Sequence, residues 1–510
     1  MGHTSIHYLF FNKITSMVQF CKLVIFISSA LSSYGRLNPN KFPDDFLFGI
    51  ASASYQIEGA WNLSGKGENI WDRYTHTHPE LILNRTNGDI ACNSYHRYEE
   101  DVALIKKLGV QFYRFSLSWT RILPIGFSSK INPDGIRYYN NLINLLMKND
   151  IIPIITIFHW DTPQHLEELG GFTNALMANW FEDYARVVFE NFGDRVKVWI
   201  TFNEPKEICL KGYGGDEKAP GYNLSGTADY ICAHNLMKAH ARAYHLYDKQ
   251  FRSKQNGQIS IVMDTFWMEP ATNLTWDKKA AERRLAFIFG WYAHPVYSSN
   301  GDYPDVMKKY VARRSKREGF KRSRLPNFTK EEVNYIKGTY DFLGLNHYST
   351  VLTKNVLFEP IFGKPSVEKD SMTVTEYDPS WPNSKASWLK VVPWGFTKLL
   401  VWLKNAYGNV PIYITENGFA DDGEIDDKDR INYHKLYLSA LLDAMHKYKV
   451  NVKAYTIWSF MDDFEWRDGY MTRFGLYHVD FNDPGRNRTP KASAEYYRKV
   501  IAARKIDGID

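Results

Sequence analysis

Val196–Pro205 reads Val-Lys-Val-Trp-Ile-Thr-Phe-Asn-Glu-Pro, and Pro411–Gly418 reads Pro-Ile-Tyr-Ile-Thr-Glu-Asn-Gly. Each opens with a short apolar run rich in β-branched and aromatic residues and closes on turn formers, the pattern of a buried strand running out into a loop. Glu204 and Glu416 therefore stand at two strand ends. A pair of carboxylates delivered this way suits glycoside hydrolysis, in which one acid protonates the leaving oxygen and one anion attacks the anomeric carbon. A single glutamate at a strand end is more often a capping or surface residue. It is the pair, in a chain with 15% aromatic residues, that carries weight.

The same alternation extends outward in both directions. It predicts strands at Phe46–Ala51, Gln111–Ser118, Ile152–Phe158, Val196–Phe202, Ile259–Thr265, Phe342–Tyr348, Ile412–Glu416 and Lys453–Ser459. Amphipathic helical periods lie between them, among them Tyr95–Lys107, Ile136–Met147 and Asn432–Lys447. Strands alternating with helices give an α/β class with a parallel sheet. Periodicity alone leaves a doubly wound sheet open. The motifs all fall at carboxyl ends of strands, where (β/α)8 TIM barrels keep their functional residues, and this decides for a single-domain barrel. Glu204 and Glu416 then end the fourth and seventh strands and face each other across the barrel mouth.

The chain has 510 residues, 44% of them apolar, with no linker or low-complexity tract after the first forty. Its net charge of +6 is uneven: Lys308–Arg324 holds nine basic residues and one acidic one, a net +8, leaving the remainder at about −2. That run lacks interleaved stacking aromatics and reads as a solvated helix and loop, so no nucleic-acid role follows. Lys22 followed by the apolar stretch Leu23–Leu31, with Ser33 and Gly35 as small residues before a cleavage point, predicts a signal peptide over residues 1–35. Residues 1–16 form an upstream extension if translation starts at Met17. The stretch is too short to span a bilayer. Asn-x-Ser/Thr sites at Asn62, Asn84, Asn223, Asn273, Asn327 and Asn487 fit passage through the secretory route and a secreted product. Outside the signal, Cys92, Cys209 and Cys232 allow at most one disulfide and show no metal-ligand spacing. No His-Glu-x-x-His or phosphate-loop motif is present, and no membrane anchor follows the signal.

With Phe46–Ala60 (FLFGIASASYQIEGA), Tyr113–Arg121 (YRFSLSWTR), Phe158–Pro163 (FHWDTP) and Ile457–Trp466 (IWSFMDDFEW), the two glutamate motifs make six in one order. Together they resemble glycoside hydrolase family 1, the β-glucosidase family, from about Phe42 to about Arg504. The resemblance implies a cofactor-free retaining β-glucosidase over residues 36–510, with no metal, acting on small β-glucosides or short oligosaccharides. Glu416 is then the nucleophile and Glu204 the acid/base, with Arg114 and Tyr348 beside the nucleophile. A neighbouring anion should raise the pKa of Glu204, while a cation and donors keep Glu416 ionised. Gln56, His159, Asn203, Asn346 and Glu465 match the family's polar sugar contacts, and Trp458 and Trp466 its stacking tryptophans. Trp388 matches the residue that floors the aglycone site.

Two departures from the family pattern stand out. Asp463 replaces the usual asparagine in Asp462-Asp463-Phe464-Glu465-Trp466. Lys206 and Lys211 follow the Asn-Glu-Pro, where many relatives carry an aromatic or apolar residue. Two lysines near the acid/base suit an anionic aglycone such as the sulfate of a glucosinolate; the plainer alternative is that Lys206 pairs with Glu207. A thioglucosidase of the plant kind typically has Gln at the acid/base position, whereas Glu204 is present here. Some animal thioglucosidases keep both glutamates, so that alternative stays open. A silent glycan-binding or receptor-like barrel is the alternative of another class, and retention of Glu204, Glu416, Arg114 and Tyr348 weighs against it. Oligomeric state and natural aglycone are not legible.

Overall fold

Eight parallel strands close into one barrel in the computed structural model, which describes residues 40–358, 362–506 and 508. They are β1 (Leu47–Ala51), β2 (Phe112–Ser116), β3 (Ile152–Phe158), β4 (Val198–Asn203), β5 (Gln258–Asp264), β6 (Leu343–Asn346), β7 (Ile412–Asn417) and β8 (Val452–Trp458). Each pairs with the next in chain order, and β8 returns to β1 in register from Leu47↔Ala454 to Ala51↔Trp458. Helices α1 (Ser94–Leu108), α2 (Pro133–Lys148), α3 (Met177–Phe192), α4 (Ala228–Leu246), α5 (Thr275–Leu285), α6 (Pro393–Tyr407), α7 (Lys428–His446) and α8 (Ala492–Ala503) follow the successive strands. The predicted signal segment and Cys21 lie outside the described residues.

The barrel strands are buried on both faces, which is why they read as continuous apolar runs rather than alternating ones. Inside, Phe112, Ile154, Val198, Ile200, Val262, Phe342 and Ala454 pack together. Most of them sit at or near the starts of their strands, so they plug one end and leave the carboxyl ends for polar groups. Gly49 has to lack a side chain, because a Cβ there would stand 2.1 Å from the Phe112 ring.

Strand ends differ from expectation where the site begins. The predicted Phe342–Tyr348 strand stops at Asn346, and His347 and Tyr348 leave the ladder. Register shifts fall between Ile200 and Asn203 in β4 and between Ile414 and Glu416 in β7. Such irregularities re-aim side chains, and here they lie at the ends of the two strands that carry the glutamates. Glu204 itself has φ +44°, a left-handed conformation uncommon for a residue with a side chain.

The basic run proves only partly solvated. Helix Asp305–Arg317 carries its first part, but Arg314 and Arg324 turn inward and are buried. Arg314 pairs with Glu318 at 2.8 Å, and Arg324 with Asp370 at 2.6 Å and Glu318 at 2.9 Å. The Arg314–Glu318 pair spans one helical turn, but the partner of Arg324, Asp370, comes from the distant short helix Val367–Ser371, which sequence spacing could not reveal. Among the described residues no helix is long and apolar enough to cross a membrane.

Cys209 and Cys232 form a disulfide, which ties the irregular helical segment Glu207–Gly214, just beyond Glu204, to α4. Cys92 remains a buried free thiol. Closing a loop of this length should contribute about 3 kcal/mol. A Cys209→Ala/Cys232→Ala variant is therefore expected to lose about that much unfolding free energy in denaturant titration, and an unchanged midpoint would contradict it.

Candidate active site

The ends of β2, β4, β6 and β7 place Arg114, Asn203, Asn346 and Glu416 around one buried point. Arg114, 1% exposed, is the centre. Its Nη1 donates to Glu416 Oε1 at 2.7 Å and to the Thr415 carbonyl at 3.0 Å. Its Nη2 donates to Asn203 Oδ1 at 2.6 Å, and its Nε to Thr156 Oγ1 at 3.1 Å. Tyr348 donates its hydroxyl to the other oxygen of Glu416 at 2.7 Å. Both Glu416 oxygens are thus held, one by a cation and one by a neutral donor.

Glu204 is anchored differently. Its backbone N–H donates to the Val262 carbonyl at 2.9 Å, and its Oε1 accepts from Asn346 Nδ2 at 2.6 Å. The same amide donates to Asn203 Oδ1 at 3.1 Å and also lies against Glu416. The two carboxylates are therefore linked through Asn346, Asn203 and Arg114. Among the described residues no cation forms an ion pair with Glu204.

Electrostatics separate the pair. Burial pushes the Glu204 carboxyl well above the usual range, and the negative charges of Asp264, Glu416 and Glu207 push it further. Burial raises Glu416 as well, but Arg114 and Tyr348 hold that rise down. The neighbouring anion expected to raise Glu204 is present, yet desolvation is the larger cause, which a sequence does not display. Tyr348 is itself pushed well above its ordinary value, first by burial and then by Glu416, so it stays a donor.

Around this pair lie the other expected sugar contacts. His159 and Asn203 share a hydrogen bond between Nε2 and Nδ2 at 3.1 Å. Burial, with Arg114 and Lys218 nearby, drives the His159 pKa well down and keeps the ring neutral; its Nδ1 has no partner among the described residues. Its ring stacks with Trp458 and Trp466, at 5.9 and 6.1 Å between centroids. Gln56 Nε2 donates to Asp463 Oδ1 at 3.1 Å, to the Phe464 carbonyl at 3.0 Å and to Glu465 Oε2 at 3.3 Å. Trp388 lies farther out, stacked with Phe266 and Phe474 and edge-on to Tyr348.

Asp463 fits this wall as a neutral acid. Burial raises it well above the usual carboxylate range, followed by the charge of Glu465. Glu465 is pushed up to about 8, chiefly by burial, with Lys218 opposing. A protonated Asp463 has the size and the neutrality of the asparagine it replaces, and its Oδ1 still accepts from Gln56.

The lysines require a correction. Lys206 Nζ is 2.7 Å from Glu207 Oε1 and 2.5 Å from Asp264 Oδ2, and Lys211 Nζ is 2.9 Å from Glu207 Oε2. Both are spent on internal ion pairs rather than held free for an anionic aglycone. The cation that does face the sugar platform is Lys218, whose Nζ lies 3.7 Å from the Trp160 ring centre and 5.2 Å from that of Trp466. Sequence reasoning missed Lys218, Trp160 and Asp264. Trp160 lies inside the quoted Phe158–Pro163 motif and Asp264 at the end of a predicted strand, so position could have found those two. Lys218 sits in an irregular loop and left no signal. Among the described residues no group of His, Cys, Asp and Glu is arranged to hold a metal.

The sequence profile described as glycosyl hydrolase family 1 matches residues 38–506. Myrosinase 1 of Brevicoryne brassicae is 52% identical over 471 residues, 91% of this chain and 99% of that protein. Cytosolic beta-glucosidase of Homo sapiens is 45% identical over 463 residues, 90% of this chain and 98% of that protein. Among solved structures, that of aphid myrosinase superposes with a TM-score of 0.87 at 51% identity, covering 91% of this chain and all of its own.

The segment that carries Asp463, Glu465 and Trp466 is anchored by Asp462. Burial opposes its charge, but Lys491 at 2.8 Å leads a set of partners that bring it down to about 2. A folded-state pKa below the unfolded value of about 3.9 contributes about 2–3 kcal/mol that is complete above the unfolded pKa and is lost as pH falls through the folded one. Asp462→Asn should therefore be less stable than wild type at pH 7, and the gap should close as both are unfolded near pH 2. A gap independent of pH would contradict the assignment.

Proposed function

The chain belongs to glycosyl hydrolase family 1, and from that premise we propose that it is a retaining β-glucosidase that releases terminal β-D-glucose by double displacement at Glu416 and Glu204. The observation that carries this reading is the asymmetry of the pair. Glu416 is held by Arg114 and Tyr348 on its two oxygens, whereas Glu204 is buried beside other anions with no paired cation among the described residues. The first arrangement favours a carboxylate that attacks; the second favours a carboxylic acid that gives up a proton.

In the first step the Glu416 carboxylate attacks the anomeric carbon while Glu204 protonates the departing oxygen. The resulting ester carries no charge, so one of the anions that raised Glu204 is gone and its proton affinity falls. Glu204 then takes a proton from water, which attacks the same carbon and frees Glu416. Asn203 binds the 2-hydroxyl in this reading, which its hydrogen bonds to Arg114 and His159 support. Gln56, His159 and Glu465 bind the remaining hydroxyls, and Trp458 and Trp466 cover the apolar face of the ring.

Thioglucoside hydrolysis is the second reading, favoured by the name of the 52% identical Brevicoryne brassicae relative, Myrosinase 1. The paired state of Lys206 and Lys211 takes away the sequence argument that pointed there; Lys218, which lies over Trp160 of the sugar platform, is itself 3.6 Å from Glu207. We also infer secretion: the Cys209–Cys232 disulfide and the exposure of all six sequon asparagines support it.

A panel of an aryl β-glucoside, cellobiose, salicin and a glucosinolate tests the reading. Hydrolysis of the first two with little action on the glucosinolate is expected, and turnover of the glucosinolate alone would overturn it. Glu416→Gln should abolish turnover on every substrate. Glu204→Gln should lose about 10²–10⁴-fold on poor leaving groups, and azide should restore its turnover of 2,4-dinitrophenyl β-glucoside, whose leaving group departs without protonation. Tyr348→Phe removes a donor to the Glu416 anion, so the Glu416 pKa should rise and the acid limb of kcat/KM move to higher pH; an unmoved limb would contradict the role given to Tyr348.

A further inference from the structure

Strand β5 ends on Asp264, two residues beyond the Val262 carbonyl that accepts the Glu204 amide. In the barrel ladder Asp264 lies opposite Asn346, whose side chain donates to Glu204 at 2.6 Å. Asp264 Oδ2 meets Lys206 Nζ at 2.5 Å, while its Oδ1 is buried with no partner among the described residues. Lys206 also reaches Glu207 at 2.7 Å, and the far oxygen of Glu207 meets Lys211 at 2.9 Å and Lys218 at 3.6 Å. Charges thus alternate from Asp264 through Lys206 and Glu207 to Lys211 and Lys218.

The sharing is unequal. Among the described residues Glu207 has three ammonium groups around it, whereas Asp264 has only Lys206, which it divides with Glu207. The negative end of the row is therefore the one beside Asn346 and Glu204. A neighbouring anion in a buried setting disfavours a second one. The charged and titratable groups that act on Glu204 are Asp264 from β5, Glu416 from β7, Tyr348 beyond β6, and Glu207 and Lys218 from the loop after β4. Those acting on Asp264 are Lys206, Glu207 and Lys211.

We propose that Asp264 is a positioning residue for the acid/base: tethered by Lys206, it keeps an under-compensated anion beside Glu204 and so holds the Glu204 proton in place until the leaving oxygen takes it. Lys206 is thereby given a purpose other than substrate binding. It fixes Asp264 at the end of its strand and joins it to the disulfide-anchored segment that begins at Glu207. The inference rests on reading Glu204 as the acid/base.

The test is the pH dependence of kcat/KM for Asp264→Asn and Asp264→Glu on two substrates, cellobiose and 2,4-dinitrophenyl β-glucoside. Cellobiose needs protonation of its leaving oxygen, whereas the dinitrophenolate leaves without it. With the anion removed Glu204 loses its proton more readily, so the alkaline limb for cellobiose should move down by roughly one pH unit in Asp264→Asn. Well above that limb the variant should lie about tenfold below wild type, since one unit is a factor of ten. The dinitrophenyl substrate should be cleaved as by wild type, and Asp264→Glu should restore the limb. A superimposable cellobiose limb, or equal losses on both substrates at every pH, would overturn the proposal. Should Asp264→Asn fail to fold, Lys206→Met supplies the opposite sign: freeing Asp264 from its cation should move the limb upward, and an unmoved or lowered limb would overturn it equally. Failure of the acid/base reading itself would show separately, as a Glu204→Gln variant that cleaves cellobiose at the wild-type rate.

Discussion

The contact on which the site depends is the buried pair of Arg114 and Glu416. A guanidinium 1% exposed and a carboxylate 4% exposed meet at 2.7 Å at the carboxyl ends of β2 and β7. Removing two charges from water is costly, and their attraction offsets that cost only where further hydrogen bonds satisfy the remaining polar atoms. Arg114 meets the condition by donating to Thr156, Thr415 and Asn203 as well, and Glu416 meets it by accepting from Tyr348. Each of these partners sits at or next to the end of a different barrel strand, or beside Glu416 itself. The pair therefore fixes Asn203, and through Asn346 the position of Glu204. One network thus sets the positions of both glutamates.

The rest of the mouth manages charge around that network. Asp264, Glu207 and Asp463 add carboxylates close to a reaction that already uses two. The protein accommodates them by two different routes. Glu207 is surrounded by lysines, which overcome the effect of burial and keep it ionised. Asp463 has no ion-pair partner among the described residues, and burial with the charge of Glu465 pushes it towards the neutral acid. Asp264 stands between these cases, paired with one shared lysine, and that intermediate state is what makes it an effective neighbour for Glu204. The same chemical group thus serves as anchor, neutral spacer or electrostatic lever according to the cations within reach.

Much of this was legible in the sequence. Buried parallel strands impose continuous apolar runs, so all eight barrel strands could be placed to within a few residues, and the Thr-Phe-Asn-Glu-Pro and Ile-Thr-Glu-Asn-Gly stretches put both glutamates at strand ends. What the sequence could not convey was pairing across the chain. The pairing of Lys206 with its neighbour Glu207 is the plainer sequence reading and holds, but its second partner, Asp264, comes from the next strand end and was not visible. Arg314 and Arg324 looked solvated because Asp370 lies far along the chain. Lys218 sits in a loop with no period, where only the fold brings it over Trp160. Strand ends were misjudged at Phe342–Tyr348 for a related reason: His347 and Tyr348 continue the apolar pattern but leave the ladder to serve the site.

The central claim is that Glu416 forms a covalent bond with the sugar. Incubation with 2-deoxy-2-fluoro-glucosyl fluoride, which slows breakdown of a glycosyl ester, followed by proteolysis and mass spectrometry of the peptides, addresses it directly. The account predicts a single fluoroglucosyl adduct on the peptide bearing Glu416. An adduct on Glu204 or on another carboxylate, or inactivation without any adduct, would contradict it.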